Sequence, residues 1–390
     1  MENKKIFFKG LNELRAFAAL AVIFHHIELF KNSDQISSLL KSIYFSYFIE
    51  RLGKNGVYLF FVLSGFLITY LLLIEKEKSQ TILFKKFYLR RIYRIWPLYY
   101  IILIIGFIII PFLAYTFEIF ENTPSFFGLI SNQENYSLKS ILLYIFFLPN
   151  VALSYFQIIL VGCSQAWSVG VEEQFYILWP LLIFLFTKRK TLYFFLLLLT
   201  FFISSNIFFK LDYVVNNLAV VLLYVYRIIS LVPFEYMTIG AIGGYLYLHH
   251  NDIIVVFTKS KYVYFLLLSL ILGLMFIPFF MTYFQSIILS VLFLCLILIT
   301  INDKNNFVLR SRKLSYIGKI SYGIYMFHPF VMFLVFPFVN KYFPFSTNSF
   351  FYNFSVYFFV FSLTILMSHF SYKYFESIFI NIKDNKYKTL

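Results

Sequence analysis

The sequence has few charged residues and very little cysteine. Asp, Glu, Lys and Arg make up 13% of its 390 residues, whereas a typical soluble domain carries about a quarter. So small a charged fraction excludes an ordinary soluble domain. The two cysteines, Cys163 and Cys295, both lie in or beside apolar segments. They offer no disulfide framework and no metal-ligand spacing, so we expect no metal site.

Long apolar runs take up much of the chain instead. Hydrophobic residues form 61% of the sequence and aromatic residues 23%. Each run is near the length at which an α-helix crosses about 30 Å of hydrocarbon. The alternation of apolar and polar residues that is typical of a membrane barrel is not present in the sequence. The sequence therefore predicts an all-α fold, a polytopic membrane helix bundle.

The apolar runs predict about ten transmembrane helices in a single domain over residues 1–390. We place them at residues 11–30, 55–74, 95–116, 167–187, 191–209, 230–248, 262–280, 283–301, 320–339 and 349–372. A further apolar stretch, 138–153, contains Pro149 and Asn150, and we interpret it as a short re-entrant or interfacial helix. Counting it as a full span would reverse every later span and put Lys188–Lys190 outside.

The net charge of +15 does not indicate nucleic-acid binding, because Lys and Arg cluster in alternate short connectors. The richest of these connectors runs from Lys76 to Arg94. This is the positive-inside pattern, and it predicts that both termini face the cytoplasm. No small-residue cleavage site follows the first apolar run, which we interpret as a retained span rather than a signal peptide. We expect a multi-pass protein of the cytoplasmic, or inner, cell membrane.

The first predicted span carries two ionisable side chains on one face. Arg15 and His26 are eleven positions apart, which brings them to within about 20° of each other around a helix. Along the axis they are separated by ~16 Å. Ionisable residues at membrane depth usually face a bundle interior or a wet cavity. A snorkelling Arg15 and a structural hydrogen bond for His26 are the alternatives, but the shared face favours a functional pair.

A second cationic pair precedes the third span. Arg91 and Arg94 are three residues apart, so they share a helix face. Paired guanidinium groups bind phosphate well because each planar fork can hold two oxygens. An anchor beside anionic lipid is the alternative, and we accept it for Lys85 and Lys86.

Polar residues also enter three later segments. In the run 167–180, Glu172 lies one helix turn from Ser168 and near Trp167 and Tyr176, whereas Glu173 could face headgroups. Ser64, next to Gly65, permits close helix approach or a local kink in the second span. Tyr325 and His328 recur at helical spacing before Pro329, which loosens the helix there. These side chains are candidates to line a cavity, although a structural hydrogen bond fits His328 equally well.

Five of these elements, in this order, resemble the acyltransferase 3 family of integral membrane O-acyltransferases. They are Arg15 with ten residues before His26, "FFVLSGFLI" (60–68), Arg91-x-x-Arg94 leading into "IWPLYY" (95–100), "WSVGVEEQFYILWP" (167–180) and "SYGIYMFHP" (321–329). The resemblance covers nearly the whole chain, with Val169 where Leu is common. It implies ten spans and transfer of an acyl group, commonly acetyl from acetyl-CoA, to a hydroxyl of a surface glycan or lipid-linked sugar. We expect the stand-alone form, without an extra extracytoplasmic domain.

By that resemblance, His26 matches the family's essential histidine and Glu172 the glutamate of its third motif. Arg15 matches the motif arginine, and Arg91 and Arg94 match the cytoplasmic pair associated with the acyl donor. Acyl-CoA is thus expected as a co-substrate, with no bound cofactor, and the other partners are the glycan acceptor and membrane lipid. We hypothesise that Arg91 and Arg94 hold the donor phosphates, that Arg15 guides the donor inward, and that Glu172 orients His26 as the base or acyl carrier.

A transporter or flippase for a lipid-linked saccharide is the alternative of another class. Ten spans and a polar interior would suit it as well. A carrier has no evident need for a base aligned with a cytoplasmic phosphate site, so we favour the enzyme.

Overall fold

The computed structural model describes residues 8–37, 42–186, 188–208, 229–250, 252, 255, 260–277, 282–302, 311–345 and 349–386. Its main helices are α1 (Leu11–Ser33), α2 (Ile43–Ser79), α3 (Phe84–Ile104), α4 (Ile110–Thr116), α5 (Pro124–Ser131), α6 (Leu138–Ile145), α7 (Pro149–Tyr155), α8 (Ala166–Leu185), α9 (Lys188–Phe208), α10 (Phe234–His249), α11 (Lys261–Phe276), α12 (Thr282–Asn302), α13 (Arg312–Lys319), α14 (Ser321–Tyr342), α15 (Ser349–Phe370) and α16 (Ser377–Lys386). No β-strand occurs in these ranges, so the all-α prediction is confirmed.

Seven helical segments are long and apolar enough to cross a membrane among the described residues. They are Ile43–Ser79, Phe84–Thr116, Ala166–Leu185, Lys190–Phe208, Thr282–Asn302, Ser321–Tyr342 and Ser349–Lys386. Two of them continue through π-helical turns, at Ile105–Ile109 and Ser371–Glu376.

Each of the ten predicted spans coincides with a helix. Three of these helices are not among the seven that are long and apolar enough to cross a membrane. Helix α1 has 23 residues but carries four charged side chains, and α10 and α11 have 16 residues each. The predicted ends at 187, 209 and 278–280 lie outside the described residues. The positions of the helices agree with ten membrane crossings, and that number remains a prediction.

The stretch 138–153 is not one helix. It divides into α6, with eight residues, and α7, with seven. Phe147 between them adopts a positive φ of 58°, and Pro149 begins the second helix. Neither helix is long enough to cross a bilayer, so the stretch is not a full span.

Helices α2 and α10 pack backbone against backbone through glycine. A Cβ atom at Gly65 would overlap the carbonyl of Met237, and one at Gly240 would overlap the carbonyl of Val62. Small residues allow this approach where lipid supplies no hydrophobic driving force between helices. The prediction of close helix approach at Ser64-Gly65 is therefore confirmed, and the contact fixes the turn of α2 that carries Ser64.

Helix α1 runs antiparallel to α2, and a buried ion pair within α1 forms hydrogen bonds with α15. Lys31 Nζ lies 2.6 Å from Glu28 Oε1 and 2.7 Å from Asn353 Oδ1. The hydroxyl of Tyr357 also donates to Glu28 Oε1, at 2.6 Å. Because each charge is paired and hydrogen-bonded, the cluster is tolerated in the interior. It holds α1 in register one turn beyond His26.

Candidate functional site

A cavity of about 350 Å³ lies between α1, α2, α3, α8 and α14. Arginines line the part near the start of α1, together with Lys383 and Asp384 of α16. Val57, Ser168 and Tyr325 line the opposite, deeper part. The predicted elements that are far apart in the sequence thus meet around one space, whose volume is in the range of small-molecule pockets.

Four guanidinium groups line the cavity, from Arg15, Arg90, Arg91 and Arg94. Arg90 is buried and pairs with Glu75 on α2, at 3.6 Å. Among the described residues, no carboxylate lies within ion-pair distance of the other three guanidinium groups. They therefore provide positive charge that an anionic ligand can neutralise.

Neighbouring side chains hold two of these arginines in place. Arg91 lies over two aromatic rings, with its guanidinium carbon 5.4 Å from the centroid of Phe87 and 5.6 Å from that of Tyr176. Arg15 Nη1 donates to Asn12 Oδ1 at 3.4 Å. Stacking on aromatic faces stabilises a guanidinium group while leaving its N–H edge available to a ligand.

Glu172 brings a carboxylate to the middle of the cavity wall. The hydroxyl of Ser64 donates to its Oε1 at 3.0 Å, and the hydroxyl of Tyr176 donates to its Oε2 at 2.9 Å. Glu173 points elsewhere, and its Oε2 accepts from the indole N–H of Trp96 at 3.2 Å. Adjacent positions on a helix differ by about 100°, and here Glu172 lines the cavity while Glu173 does not.

The deep end of the cavity leads to a pair of histidines. The hydroxyls of Tyr325 and Ser168 are 2.7 Å apart, and the Tyr325 ring centroid lies 5.8 Å from that of His328. His328 Nε2 is 2.7 Å from His26 Nδ1, and the two ring planes are inclined by 17°. Helices α1 and α14 thus meet through two imidazoles directly behind the cavity wall.

His25 differs from its neighbour His26 in its surroundings. Its ring lies against Gly53 of α2, where a Cβ atom would overlap it. Its Nδ1 is 2.9 Å from the carbonyl of Ile49. His25 therefore serves the contact between α1 and α2. Its ring centroid is 5.3 Å from that of His26, but its hydrogen bond goes to Ile49 rather than to the histidine pair.

Most of the predicted site residues line the cavity. These are Arg15, Ser64, Arg91, Arg94, Ser168, Glu172, Tyr176 and Tyr325. His26 does not line it, since Tyr325 and Phe60, whose ring centroids are 6.0 Å apart, lie at that end of the cavity.

Three details differ from the sequence predictions. Trp167 does not line the cavity, because its ring packs edge-on against Phe61 at 6.1 Å. His328 does not line it either, because it is fully buried and turned towards His26. The predicted contact between Glu172 and His26 is not made in this geometry, since His26 bonds to His328 and Glu172 bonds to Ser64 and Tyr176.

Several residues that line the cavity were not predicted from the sequence. Arg90, directly beside Arg91 in the sequence, was not among the predicted lining residues. Tyr322, whose hydroxyl donates to the carbonyl of Ile95 at 2.9 Å, was not singled out. Lys383 and Asp384 lie beyond the last predicted span and carry no motif, so nothing in their local sequence indicated a cavity.

Comparison with known proteins connects this arrangement to one family. The sequence model of the acyltransferase domain that defines the acyltransferase 3 family matches residues 8–369. The peptidoglycan O-acetyltransferase OatA of Listeria monocytogenes is 32% identical over 186 residues, which is 46% of this chain and 24% of that protein. The O-acetyltransferase OatA of Staphylococcus aureus is 30% identical over 183 residues, covering 46% of this chain and 25% of that protein. The matches thus span about a quarter of the curated relatives' length. No solved structure matches the chain.

Proposed function

The chain belongs to the acyltransferase 3 family, and from that premise we propose that it is a membrane O-acyltransferase. It transfers an acyl group, acetyl in the first instance, from acyl-CoA on the cytoplasmic side to a hydroxyl of a surface glycan or lipid-linked sugar. Because the relative from Listeria monocytogenes is a peptidoglycan O-acetyltransferase, a cell-wall glycan is the first acceptor to test.

The observation that carries the proposal is the set of three guanidinium groups at the cavity that have no ion-pair partner among the residues the structure describes. Arg15, Arg91 and Arg94 offer planar donor groups that suit the phosphates of CoA. A slender pantetheine arm matches the ~16 Å that helix rise gives between Arg15 and His26. The apolar side chains of Val57 and Phe60 line the path along which the arm would extend.

His26 is the residue that acts as the general base in the transfer. Its imidazole takes the proton of the acceptor hydroxyl while the hydroxyl oxygen bonds to the acyl carbon and the C–S bond breaks. The same nitrogen then returns the proton to the departing thiolate of CoA. Transfer through an acyl-histidine intermediate would use this nitrogen as the nucleophile. Both routes require the ring of Tyr325 to move from the wall between the donor and the histidine pair.

The proposal is tested with the purified full-length protein, labelled acetyl-CoA and peptidoglycan fragments or lipid-linked sugars. We expect label in the glycan with the wild type. The double variant Arg91→Ala, Arg94→Ala should raise the KM for acetyl-CoA at least about tenfold, because two charge-assisted contacts are lost. Lys85→Ala, Lys86→Ala is the matched control, with the same change in charge on the same helix.

Two outcomes would contradict the proposal. The first is full transfer by His26→Ala. The second is an unchanged KM for acetyl-CoA in the arginine double variant. Movement of a lipid-linked sugar across vesicles without any acyl transfer would favour a flippase instead.

A further inference from the structure

Pro329 leaves a carbonyl without its usual helical donor. In an α-helix the C=O of residue i accepts from the N–H of residue i+4. The residue four positions after Tyr325 is Pro329, which has no N–H. A buried carbonyl that lacks a donor is costly, so another group must supply one.

His328 supplies that donor. Its Nδ1 lies 2.8 Å from the carbonyl oxygen of Tyr325. A carbonyl oxygen only accepts hydrogen bonds, so Nδ1 of His328 carries the proton. His328 is 0% exposed, and neither of its two hydrogen-bond partners is anionic. A neutral ring is therefore favoured, and its Nε2 is an acceptor.

The tautomer of His26 follows from that of His328. His328 Nε2 accepts, so the nitrogen that faces it at 2.7 Å, Nδ1 of His26, must donate. The proton of a neutral His26 then sits on Nδ1, and Nε2 keeps its lone pair. Within the part of the chain that the structure describes, Nε2 of His26 makes no hydrogen bond, and the residue is only half-buried.

From this chain of partners we propose that His328, fixed by Pro329, is the positioning residue that presents His26 with an unprotonated Nε2. The inference rests on the proposed function, because it assigns the atom of His26 that receives the hydroxyl proton. His328 acts as the aspartate of a serine-protease triad does, by selecting tautomer and ring orientation, but it remains neutral. After Nε2 of His26 accepts the proton, Nδ1 still donates to His328, so the contact persists through the transfer.

Substitutions at His328 separate this role from simple packing. His328→Leu fills the space but offers no acceptor, and we expect kcat to fall on the order of 100-fold with little change in the KM for acetyl-CoA. His328→Gln keeps an amide oxygen near the position of Nε2 and should recover most of that loss. His250→Gln, at the exposed end of α10, is the matched control. Wild-type kcat in His328→Leu, or a Gln variant as inactive as the Leu variant, would overturn the proposal.

A spectroscopic measurement tests the tautomer without relying on activity. Nitrogen-15 spectra of histidine-labelled protein distinguish protonated from unprotonated ring nitrogens, and the His26 signals are identified by their loss in His26→Gln. We expect Nδ1 of His26 to be protonated in the wild type and in His328→Gln. In His328→Leu the proton should shift to Nε2. A wild-type His26 protonated at Nε2 would refute the inference, even if the acyl transfer itself were established. Absence of transfer with the expected tautomer would refute only the proposed function.

Pro329 provides a second and independent variant. Pro329→Ala restores an N–H to the carbonyl of Tyr325, which then competes with His328 for the same acceptor. The fraction of His26 that is protonated at Nε2 rather than Nδ1 should therefore increase, and the same spectra measure it. Pro337→Ala, in the same helix and equally buried, is the control and should leave the His26 signals unchanged. Identical spectra for both proline variants would remove Pro329 from the proposal.

Discussion

Glu172 and Glu173 show how one residue step along a helix separates two roles. Glu172 faces the cavity and accepts hydrogen bonds from Ser64 and Tyr176. Glu173 is buried against Trp96 on the other side of α8. The two carboxylates have the same chemistry and nearly the same depth, so their substitution isolates the effect of facing the cavity.

We expect Glu172→Gln to lower acyl transfer about tenfold, because a charge-assisted hydrogen bond contributes roughly 1.5–3 kcal/mol. Loss of the charge also removes the negative group that faces Arg15 and Arg94 across the cavity. Glu173→Gln is the matched control and should lose less, since an amide oxygen still accepts from Trp96. Initial rates with labelled acetyl-CoA measure both. A larger loss in Glu173→Gln would mean that the wrong carboxylate has been assigned to the cavity.

Some of the residues that line the cavity could be predicted because they are close together in the sequence and share a helix face. Arg91 and Arg94 share a face by the three-residue rule, and both line the cavity. The contact between His26 and His328 is different, because 302 residues separate them. No periodicity links two helices at that separation, so the sequence suggested Glu172 as the partner of His26. Only the packing of α1 against α14 identifies the neutral histidine in that role.

At the scale of helices, glycine decides how closely α2 and α10 approach. Gly65 and Gly240 meet the opposing backbone, and Gly244 faces the carbonyl of Phe66. The resulting contact positions Ser64 towards α8, where it reaches Glu172. The sequence predicted the close approach at Ser64-Gly65 but not the partner helix, since small residues indicate that a neighbour approaches without identifying it.

Gly240→Ala should separate α2 from α10 and lower the melting temperature of the protein in detergent. The added Cβ overlaps the carbonyl of Val62, and backbone cannot move aside as a flexible side chain can. Acyl transfer should fall as well, because Ser64 would lose its alignment with Glu172. Gly273→Ala in α11 is the control, since nothing lies within 4 Å of its added Cβ. Alanine there should leave the melting temperature unchanged or raise it slightly, as its helix propensity exceeds that of glycine by about 1 kcal/mol.

An unchanged melting temperature in Gly240→Ala would show that the two helices can separate without cost. That result would contradict the backbone contact between α2 and α10. A fall of equal size in Gly273→Ala would instead show that any added methyl group on a helix disturbs the protein.

At the scale of the whole molecule, the proposed mechanism requires the two substrates to approach from opposite sides of the membrane. Basic residues cluster between Lys76 and Arg94, and the three arginines of this segment, Arg90, Arg91 and Arg94, line the cavity. The connector between α4 and α8 carries Glu118, Glu121 and Glu134 and few cations. From the positive-inside rule we expect the arginines to lie towards the cytoplasm and α5 to lie outside.

Cysteine labelling in intact cells tests this orientation. Cys163 and Cys295 are first replaced by serine, and a single cysteine is then introduced at Lys85 or Ser131, both of which are exposed. A membrane-impermeant thiol reagent should label Ser131→Cys in intact cells and Lys85→Cys only after the membrane is opened, because the bilayer separates the two positions. Labelling of Lys85→Cys in intact cells would invert the arrangement. The cationic cavity would then open away from the cytoplasm, where acyl-CoA is made, and the proposed donor could not reach it.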